Sequence, residues 1–380
     1  MSTDKANNKI NRREFLTASA AGAAALGMAA GFSAKGLLAA EEITVNGFPG
    51  VVFGRTGFRV TKIAFGGILV TEPPVLARAI DSGINLIHVS PGYQNGRSIE
   101  CFGKVMKNQS YRSKVKLALK VMPDEALDKG LKTLNTDFVE IVIPPIDDIN
   151  VLRSPELREK FNAAKAAGKC AHMGFACHTQ SAKIIDTAVE MGYFDVILMS
   201  YANTSNPEFM ASLERARAAG VAIMAMKGLP KRAEGAEALE QKDLYASLCS
   251  SMITKGAHAV LASMGSHQVV DMYRNILDKR IGFNSRSLES RYWAEQEGNY
   301  CAMCGNCKNI CPNGVDVASI VRFRMYNNDY RMHDYARVKY AGLDSSCSGA
   351  NCRECGLCES SCTRSLPLRS MIAEAHGTLA

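Results

Sequence analysis

The chain has 380 residues, which is long enough for two or three domains of ordinary size. Hydrophobic residues make up 47% and charged residues 22%, so the composition is that of a globular protein and excludes wholesale disorder. The sequence has no long run of Leu, Ile, Val and Phe, which argues against a polytopic membrane protein. The net charge of +8 is modest and scattered, and it gives no reason to expect a nucleic-acid partner.

Residues 1–40 predict an export signal. Arg12 and Arg13 are followed by Phe15 and Leu16, and then by a weakly apolar stretch rich in Ala and Gly. Paired arginines in this setting resemble a twin-arginine (Tat) signal. A membrane anchor is the alternative, but Ala and Gly offer little hydrocarbon to hold the segment in lipid. We therefore expect a bacterial periplasmic protein that meets the Tat translocase during export. Cleavage is expected near Ala40, and a retained signal would tether the protein to the membrane.

The region 41–288 alternates short β-branched runs with amphipathic helical stretches, a pattern typical of parallel strands joined by crossover helices. We predict strands at 62–65, 85–90, 115–121, 139–144, 171–177, 195–200, 222–226 and 259–263. Predicted helices include 74–82, 98–107, 155–167, 182–191 and 207–219, and four helices are expected to end at Gly83, Gly168, Gly192 and Gly220. Eight such units match the roughly 250 residues of a (β/α)8 TIM barrel. A Rossmann sheet is the alternative, but no G-x-G-x-x-G opens a helix.

Several local motifs carry a resemblance that covers the whole predicted barrel. They are FGRTGFRV at 53–60, Gly66-Gly67, GINLIHVSPGY at 83–93, GRSIE at 96–100, LNTDFVE at 134–140 and GKCAHMG at 168–174. In this order the motifs resemble the aldo-keto reductases. The resemblance implies a common barrel fold, and it implies activity less directly because one fold hosts many functions.

Members of that family reduce a carbonyl with a hydride from a nicotinamide, and the resemblance places only part of their catalytic set here. Tyr93 occupies the position of the general acid, and Lys120 that of the lysine that lowers the tyrosine's pKa. His88 stands in the aspartate's place and Pro145 in the histidine's. We expect a neutral His88 to accept a hydrogen bond from Lys120, and the charge of Lys120 to lower the pKa of Tyr93. The alternative is a retained hydrogen bond at the barrel top without chemistry.

The family's nicotinamide contacts are also altered. The resemblance places a Ser-Asn pair after strand five and a Gln in strand six, where this chain has Ala176, Cys177 and Leu198. None of the three can hold the carboxamide in the same way, so a bound NAD(P)H is doubtful. The loop Met264-Gly265-Ser266, after strand eight, could still seat phosphates on a helix N-terminus.

Nine of the thirteen cysteines lie between Cys301 and Cys362, and eight of them form two C-x2-C-x2-C-x3-C runs. This spacing is typical of two [4Fe–4S] clusters in which the fourth cysteine of each run ligates the other cluster. We therefore predict one cluster on Cys301, Cys304, Cys307 and Cys362, and the second on Cys311, Cys352, Cys355 and Cys358. The intervening residues contain a predicted helix at 316–326, so 289–380 resembles an α-helical ferredoxin-type domain.

Zinc and disulfides are weaker interpretations of the same cysteines. A zinc ribbon needs two C-x2-C pairs per metal, which the doubled four-cysteine run does not provide. Disulfides suit an exported protein, but cysteines three residues apart pair poorly and the total is odd. Cys347 is an unassigned neighbour and a spare ligand, and Cys177 is expected to face the barrel-top pocket. Cys101, Cys170 and Cys249 are expected to be ordinary buried thiols.

Together these features predict an exported iron–sulfur oxidoreductase. Its clusters would carry electrons between an outside partner, a redox protein or a quinone, and a small-molecule site at the barrel top. The chain resembles the aldo-keto reductase-like proteins that carry a C-terminal ferredoxin module. An NAD(P)H-dependent carbonyl reductase and a non-catalytic electron-transfer or binding protein on a degenerate barrel are the alternatives.

Replacing Arg12 and Arg13 together by Lys should trap the protein in the cytoplasm, because lysine does not reproduce the planar donor fork of a guanidinium. Cell fractionation with immunoblotting checks this, and the reverse double substitution, Lys5 and Lys9 each to Arg, is the control. Normal periplasmic accumulation of the Arg12/Arg13 variant would identify a different export route.

Overall fold

The structure is a computed structural model that describes residues 42–179, 181–202, 206–230 and 240–380. The predicted export signal, with Arg12 and Arg13, lies outside the described residues. No helix in the described part of the chain is long and apolar enough to cross a membrane.

An antiparallel three-stranded sheet precedes the barrel. It consists of β1 (Glu42–Val45), β2 (Phe48–Val52) and β3 (Arg59–Thr61), with β2 in the centre. Val51 and Val60 of this sheet, and Phe53 directly after β2, are buried together with the residues inside the barrel. The sheet therefore closes the N-terminal end of the barrel with apolar side chains, which leaves the opposite end for a site.

The barrel is closed by eight parallel strands in chain order, with the last strand paired to the first. Most residues of these strands are buried, because helices cover the outer face of the barrel and side chains fill its interior. The strands are β4 (Ile63–Gly66), β5 (Leu86–Val89), β6 (Lys116–Leu119), β7 (Val139–Val142), β8 (Cys170–Cys177), β9 (Val196–Ser200), β10 (Ala222–Met226) and β11 (Ala259–Ser263).

Helices follow the strands on the outer surface. The helices of the barrel region are α1 (Pro73–Asp81), α2 (Arg97–Met106), α3 (Gln109–Arg112), α4 (Glu125–Thr133), α5 (Ile149–Leu152), α6 (Pro155–Ala166), α7 (Ala182–Met191), α8 (Pro207–Ala218), α9 (Lys242–Thr254), α10 (His267–Asn275) and α11 (Arg286–Glu295). A π-helical turn, Ile276–Arg280, continues α10.

The predicted barrel is confirmed. All eight predicted strands are present within three residues at either end, and the last two have the predicted bounds. Gly83, Gly168, Gly192 and Gly220 each follow or end a helix with a positive φ, as the C-terminal glycine signal requires. The antiparallel sheet before the barrel is an addition that the predicted strands did not include.

The C-terminal region is helical, as predicted. Its helices are α12 (Val317–Asn328), α13 (His333–Ala341), α14 (Leu357–Ser360) and α15 (Leu368–Leu379), and Asp316 caps α12 by accepting a hydrogen bond from the Ser319 amide. The region has its own apolar core, but Tyr93 of the barrel belongs to that core. All described residues form one compact unit. The C-terminal region is therefore docked on the barrel rather than linked loosely to it.

Candidate functional site

Three polar residues lie together at the C-terminal ends of the barrel strands. His88 and Lys120 are predicted site residues, and His178 is an addition. Side chains alternate along a strand, so His88, Lys120 and His178 share the inward-facing side with Leu86, Ala118 and Ala176, two residues earlier in each case. All three line one cavity at the barrel top. The site is therefore built from the ends of β5, β6 and β8, where barrels of this class hold their functional groups.

Lys120 contacts His178 rather than His88. The Nζ of Lys120 lies 3.5 Å from Nε2 of His178, and Nδ1 of His178 lies 3.0 Å from Oδ2 of Asp147. Burial and the charges of Arg322 and Lys120 hold the pKa of His178 well below its usual value. A neutral His178 donates from Nδ1 to the carboxylate, so its Nε2 lone pair accepts from Lys120. Sequence reasoning missed this Asp147–His178–Lys120 series, although His178 follows strand five with inward-facing parity.

Asp147 also ties the C-terminal region to the barrel. Its carboxylate accepts hydrogen bonds from the His178 amide at 2.6 Å and from Nη1 of Arg322 at 3.0 Å, and its carbonyl accepts from Lys308. Burial alone would raise the pKa of Asp147, but His178 and Arg322 hold it well below its usual range. The residue is therefore a permanent anion beneath the docked helices.

The expected hydrogen bond from Lys120 to His88 is wrong. His88 is 1% exposed, and neither ring nitrogen has a hydrogen-bond partner within the described part of the chain. Burial, followed by the charge of Lys120, lowers the pKa of His88 to about 3, so the ring is neutral as expected. A buried imidazole whose nitrogens have no hydrogen-bond partner destabilises the folded state.

The expected lowering of the pKa of Tyr93 is also wrong. Burial and the neighbouring tyrosines Tyr335, Tyr326 and Tyr330 raise it well above its usual value. Tyr93 packs edge-on against Tyr335, with 6.5 Å between ring centroids, and Nζ of Lys120 lies over the Tyr93 ring, 5.8 Å from its centroid. The lysine therefore faces the ring, and the phenol is covered by the C-terminal helices.

A second lysine, Lys227, enters the same cavity directly after β10. Its backbone has a positive φ of 62°, and its carbonyl accepts a hydrogen bond from the Tyr300 hydroxyl at 2.7 Å. Its Nζ is buried without a hydrogen-bond partner among the described residues and lies 5.6 Å from the centroid of the Tyr326 ring. Burial, with the charges of Arg322 and Lys120, lowers the pKa of Lys227 to about 7, and burial with the charge of Arg322 lowers that of Lys120 to about 8. No sequence motif pointed to this residue.

The cavity is small because Tyr326 and Tyr330 of the C-terminal region form its roof. Its volume is about 60 Å³. Pockets for ligands of drug size typically have about 300–1,000 Å³. In this arrangement the site accommodates a few atoms and excludes a dinucleotide.

The three residues at the family's nicotinamide positions are buried. Ala176 and Leu198 belong to the apolar barrel interior. Cys177 faces the opposite side of β8 and its thiol contacts the carbonyl and hydroxyl of Thr179, both at 3.3 Å, so the expectation that it faces the pocket is wrong. Burial raises the pKa of Cys177 to about 12. Ser266 accepts a hydrogen bond from the Val269 amide and so caps α10 itself.

Two further cavities collect the cysteines in the predicted groups. One is lined by Cys301, Cys304, Cys307 and Cys362, and the other by Cys311, Cys352, Cys355 and Cys358. The fourth cysteine of each run thus lies with the first three of the other run. Cys347 lines neither cavity, and Cys101, Cys170 and Cys249 are buried in the barrel region.

The two cysteine loops share one backbone conformation. Met303 and Glu354, each two residues after the first cysteine, have φ of 56° and 53°, and Gly305 and Gly356, each after the second, both have φ of 80°. These left-handed positions curl each chain so that three thiols face one cavity. The Met303 amide donates to the Cys301 sulfur at 3.4 Å, and Thr363, in place of the usual proline, donates to the Cys304 sulfur at 3.5 Å.

This arrangement fits the group that the cysteine spacing implies. No three His, Cys, Asp or Glu side chains in the described residues converge closely enough to hold a single metal ion. A cubane does not require such convergence, because each of its four thiolates ligates a different iron.

A family comparison matches the part of the barrel from α1 to β10. Residues 71–230 match the model of the Aldo/keto reductase family. These residues form an aldo/keto reductase family domain. The domain contains His88, Tyr93, Lys120, His178 and Lys227, whereas the cysteine runs lie outside it.

Solved aldo-keto reductases share its fold. The holo form of an enzyme from Bacillus halodurans is 17% identical, with a TM-score of 0.52 over 65% of this chain and 96% of that chain. Two structures from Klebsiella pneumoniae have TM-scores of 0.51. One, in complex with NADP and acetate, is 17% identical over 64% of this chain and 93% of that chain. The other, in complex with NADPH, is 16% identical over 67% and 95%. The matches thus leave about a third of this chain uncovered.

Exchanging Cys311 for Ser should damage the centre whose other ligands are Cys352, Cys355 and Cys358, since the fourth ligand crosses between runs. Electron paramagnetic resonance (EPR) of the reduced protein should show the same defect for Cys311→Ser and Cys352→Ser, and a different defect for Cys301→Ser. Cys347→Ser is the matched control and should retain both signals. A Cys311→Ser spectrum that coincides with that of Cys301→Ser would refute the crossed arrangement.

His88→Leu should remove part of the acid sensitivity of the fold. The pKa of His88 is lowered to about 3, so below about pH 6.5 the unfolded chain binds a proton that the folded chain does not. Between pH 7.5 and 5.5 this costs the native state about 1 kcal/mol of unfolding free energy. Urea unfolding at the two pH values measures it. His267→Leu, at an exposed position, is the control, and an unchanged pH dependence in His88→Leu would contradict the buried neutral imidazole.

Proposed function

We propose that this protein is an exported iron–sulfur oxidoreductase that moves single electrons between a surface partner and a small-molecule site at the barrel top. Two [4Fe–4S] clusters, when bound, supply the single-electron chemistry. Cys301, Cys304, Cys307 and Cys362 would hold one, and Cys311, Cys352, Cys355 and Cys358 the other. The oxidoreductase class also accords with the aldo/keto reductase family domain.

One observation carries this proposal: His178 lines both the barrel-top cavity and the cavity of the Cys301 group. His178 thus borders both spaces. The same imidazole contacts Lys120 and Asp147, so it couples the polar groups of the barrel to the wall of the cysteine cavity. Such proximity suits exchange of electrons between a centre in one cavity and a molecule in the other.

The cavity lined by the Cys311 group supports electron exchange with a partner at the protein surface. Cys355 is exposed, unlike any other cysteine of the described chain, and Leu357, two residues later, is 46% exposed. Arg353 and Arg369 also line this cavity. An apolar residue with basic neighbours beside the exposed thiol suits transient contact with a redox protein or with a quinone.

The residues at the barrel top are suited to holding and orienting a small molecule, and not to hydride transfer. Lys120 and His178 present hydrogen-bond donors and an imidazole fixed by Asp147. Tyr93, whose pKa burial raises well above its usual value, retains its proton. The tyrosine roof leaves too little room for a dinucleotide, which disfavours the alternative of an NAD(P)H-dependent carbonyl reductase.

Anaerobically purified protein should hold about eight irons per chain and show EPR signals of two reduced clusters. His178→Leu should shift the reduction potential and signal of the centre on the Cys301 group, and leave the other centre unchanged. His267→Leu, distant from both cavities, is the control. Stoichiometric zinc with little iron would overturn the proposal, as would potentials that do not respond to His178.

Free NADPH should bind the same protein poorly and drive little aldehyde reduction. Hydride transfer needs the nicotinamide held within near-attack distance. The loss of three carboxamide contacts, each worth about 1 kcal/mol, should weaken its orientation by about a hundredfold. Calorimetric titration and aldehyde-dependent NADPH oxidation measure this. Micromolar binding with rapid turnover that Tyr93→Phe abolishes would establish the ordinary reductase instead.

A further inference from the structure

The barrel-top cavity contains polar groups that no residue of the described chain satisfies. Both ring nitrogens of His88 and the Nζ of Lys227 are buried and lack hydrogen-bond partners within the described ranges. All three atoms belong to residues that line this cavity. Buried polar atoms without a partner destabilise the folded state unless a water or ligand bonds to them.

The charges around the cavity are unbalanced. Lys120 and Lys227 line it, and no carboxylate is among the described residues that do so. The nearby Asp147 is already engaged by Arg322 and His178. The ammonium groups of the two lysines are met by the faces of Tyr93 and Tyr326, a contact that favours a cation without neutralising it. A negatively charged group between the lysines would remove this imbalance.

The size of the cavity limits what can enter. A water-sized sphere needs about 10–15 Å³ of such space, and the cavity offers about 60 Å³. Roughly four to six non-hydrogen atoms therefore fit. The tyrosine roof and the neighbouring Leu261 and Met226 bound the remaining space with apolar surface.

We propose that the barrel-top cavity binds a small carboxylate, with its oxygens between Lys120 and Lys227 and its remaining atoms toward His88. The binding of this carboxylate rests on the cavity alone, whereas the place of the cavity at the small-molecule end of the electron path rests on the proposed function. Lys227 is the residue that sets the ligand class, because it gives the cavity a second cation. His88 offers one donor and one acceptor to any further oxygen of the ligand.

Lys227 could instead balance the negative charge of a cluster on the Cys301 group. The two roles differ in what a substitution changes. A counter-charge alters the reduction potential of that cluster and leaves ligand binding alone, whereas a carboxylate ligand requires the lysine for binding. The test therefore includes both measurements.

Formate is the probe, because its three non-hydrogen atoms fit the cavity. The iron-loaded full-length protein is titrated with sodium formate by calorimetry, with ionic strength kept constant by gluconate, which is too large to enter. We expect saturable binding, weakened about tenfold or more by Lys120→Met and by Lys227→Met. Lys339→Met removes an exposed lysine whose Nζ lies over the Tyr335 ring, outside the cavity, and should change the affinity less than twofold. Benzoate, which is too large, should not bind.

The proposal is overturned by the absence of saturable formate binding, by benzoate binding as tightly as formate, or by equal weakening in Lys339→Met. A Lys227→Met protein with an altered cluster potential and unchanged formate affinity also overturns it. Comparing formate with benzoate on the unsubstituted protein decides the question even if a variant fails to fold. Eight irons without formate binding would refute the ligand class only. Formate binding to protein that never takes up iron would refute only the electron-transfer function.

Discussion

The carboxylate of Asp147 holds the top of the barrel and the C-terminal region in one arrangement. It fixes His178 through both the backbone and the ring, and it pairs with Arg322 from α12. The carbonyl of the same residue accepts from Lys308, in the first cysteine loop. A single residue in the loop after β7 thus positions the imidazole of the site and the helix that covers it. Removing the carboxylate would leave a buried guanidinium without its partner, which is a severe loss in a protein interior.

The docking of the C-terminal region changes the chemistry that the barrel can perform. In an open barrel, a tyrosine and lysine at the strand ends would face solvent and substrate. Here Tyr335, Tyr326 and Tyr330 cover them, and each buried hydroxyl raises the pKa of Tyr93 further. A cluster of phenols around two lysines makes a site that is aromatic at its walls and cationic at its centre. The domain family is therefore informative about the scaffold and less so about the reaction.

The parts of the structure that the sequence predicted are those governed by local patterns. Strand positions follow from runs that must be apolar on both faces, and helix ends follow from glycines that must adopt positive φ. The grouping of the cysteines was also predictable, because the spacing within each run fixes the loop. Lys227 and the tyrosine roof were not, because their placement depends on how two distant segments of the chain dock. The hydrogen-bond partner of Lys120 was predicted wrongly for the same reason. The sequence shows that His178 faces the barrel interior, but its ring accepts from Lys120 only because Asp147, itself paired with Arg322, holds it in place.

The exchange of fourth cysteines between the two loops makes the halves of the C-terminal region interdependent. Cys311 and Cys362 each leave their own loop to complete the opposite group. Neither loop therefore completes a group alone: a chain that ends between the two loops carries three of the four thiols of the Cys301 group and, in Cys311, one of the other group. Each group of four thiols is therefore complete only when the polypeptide extends through the second loop.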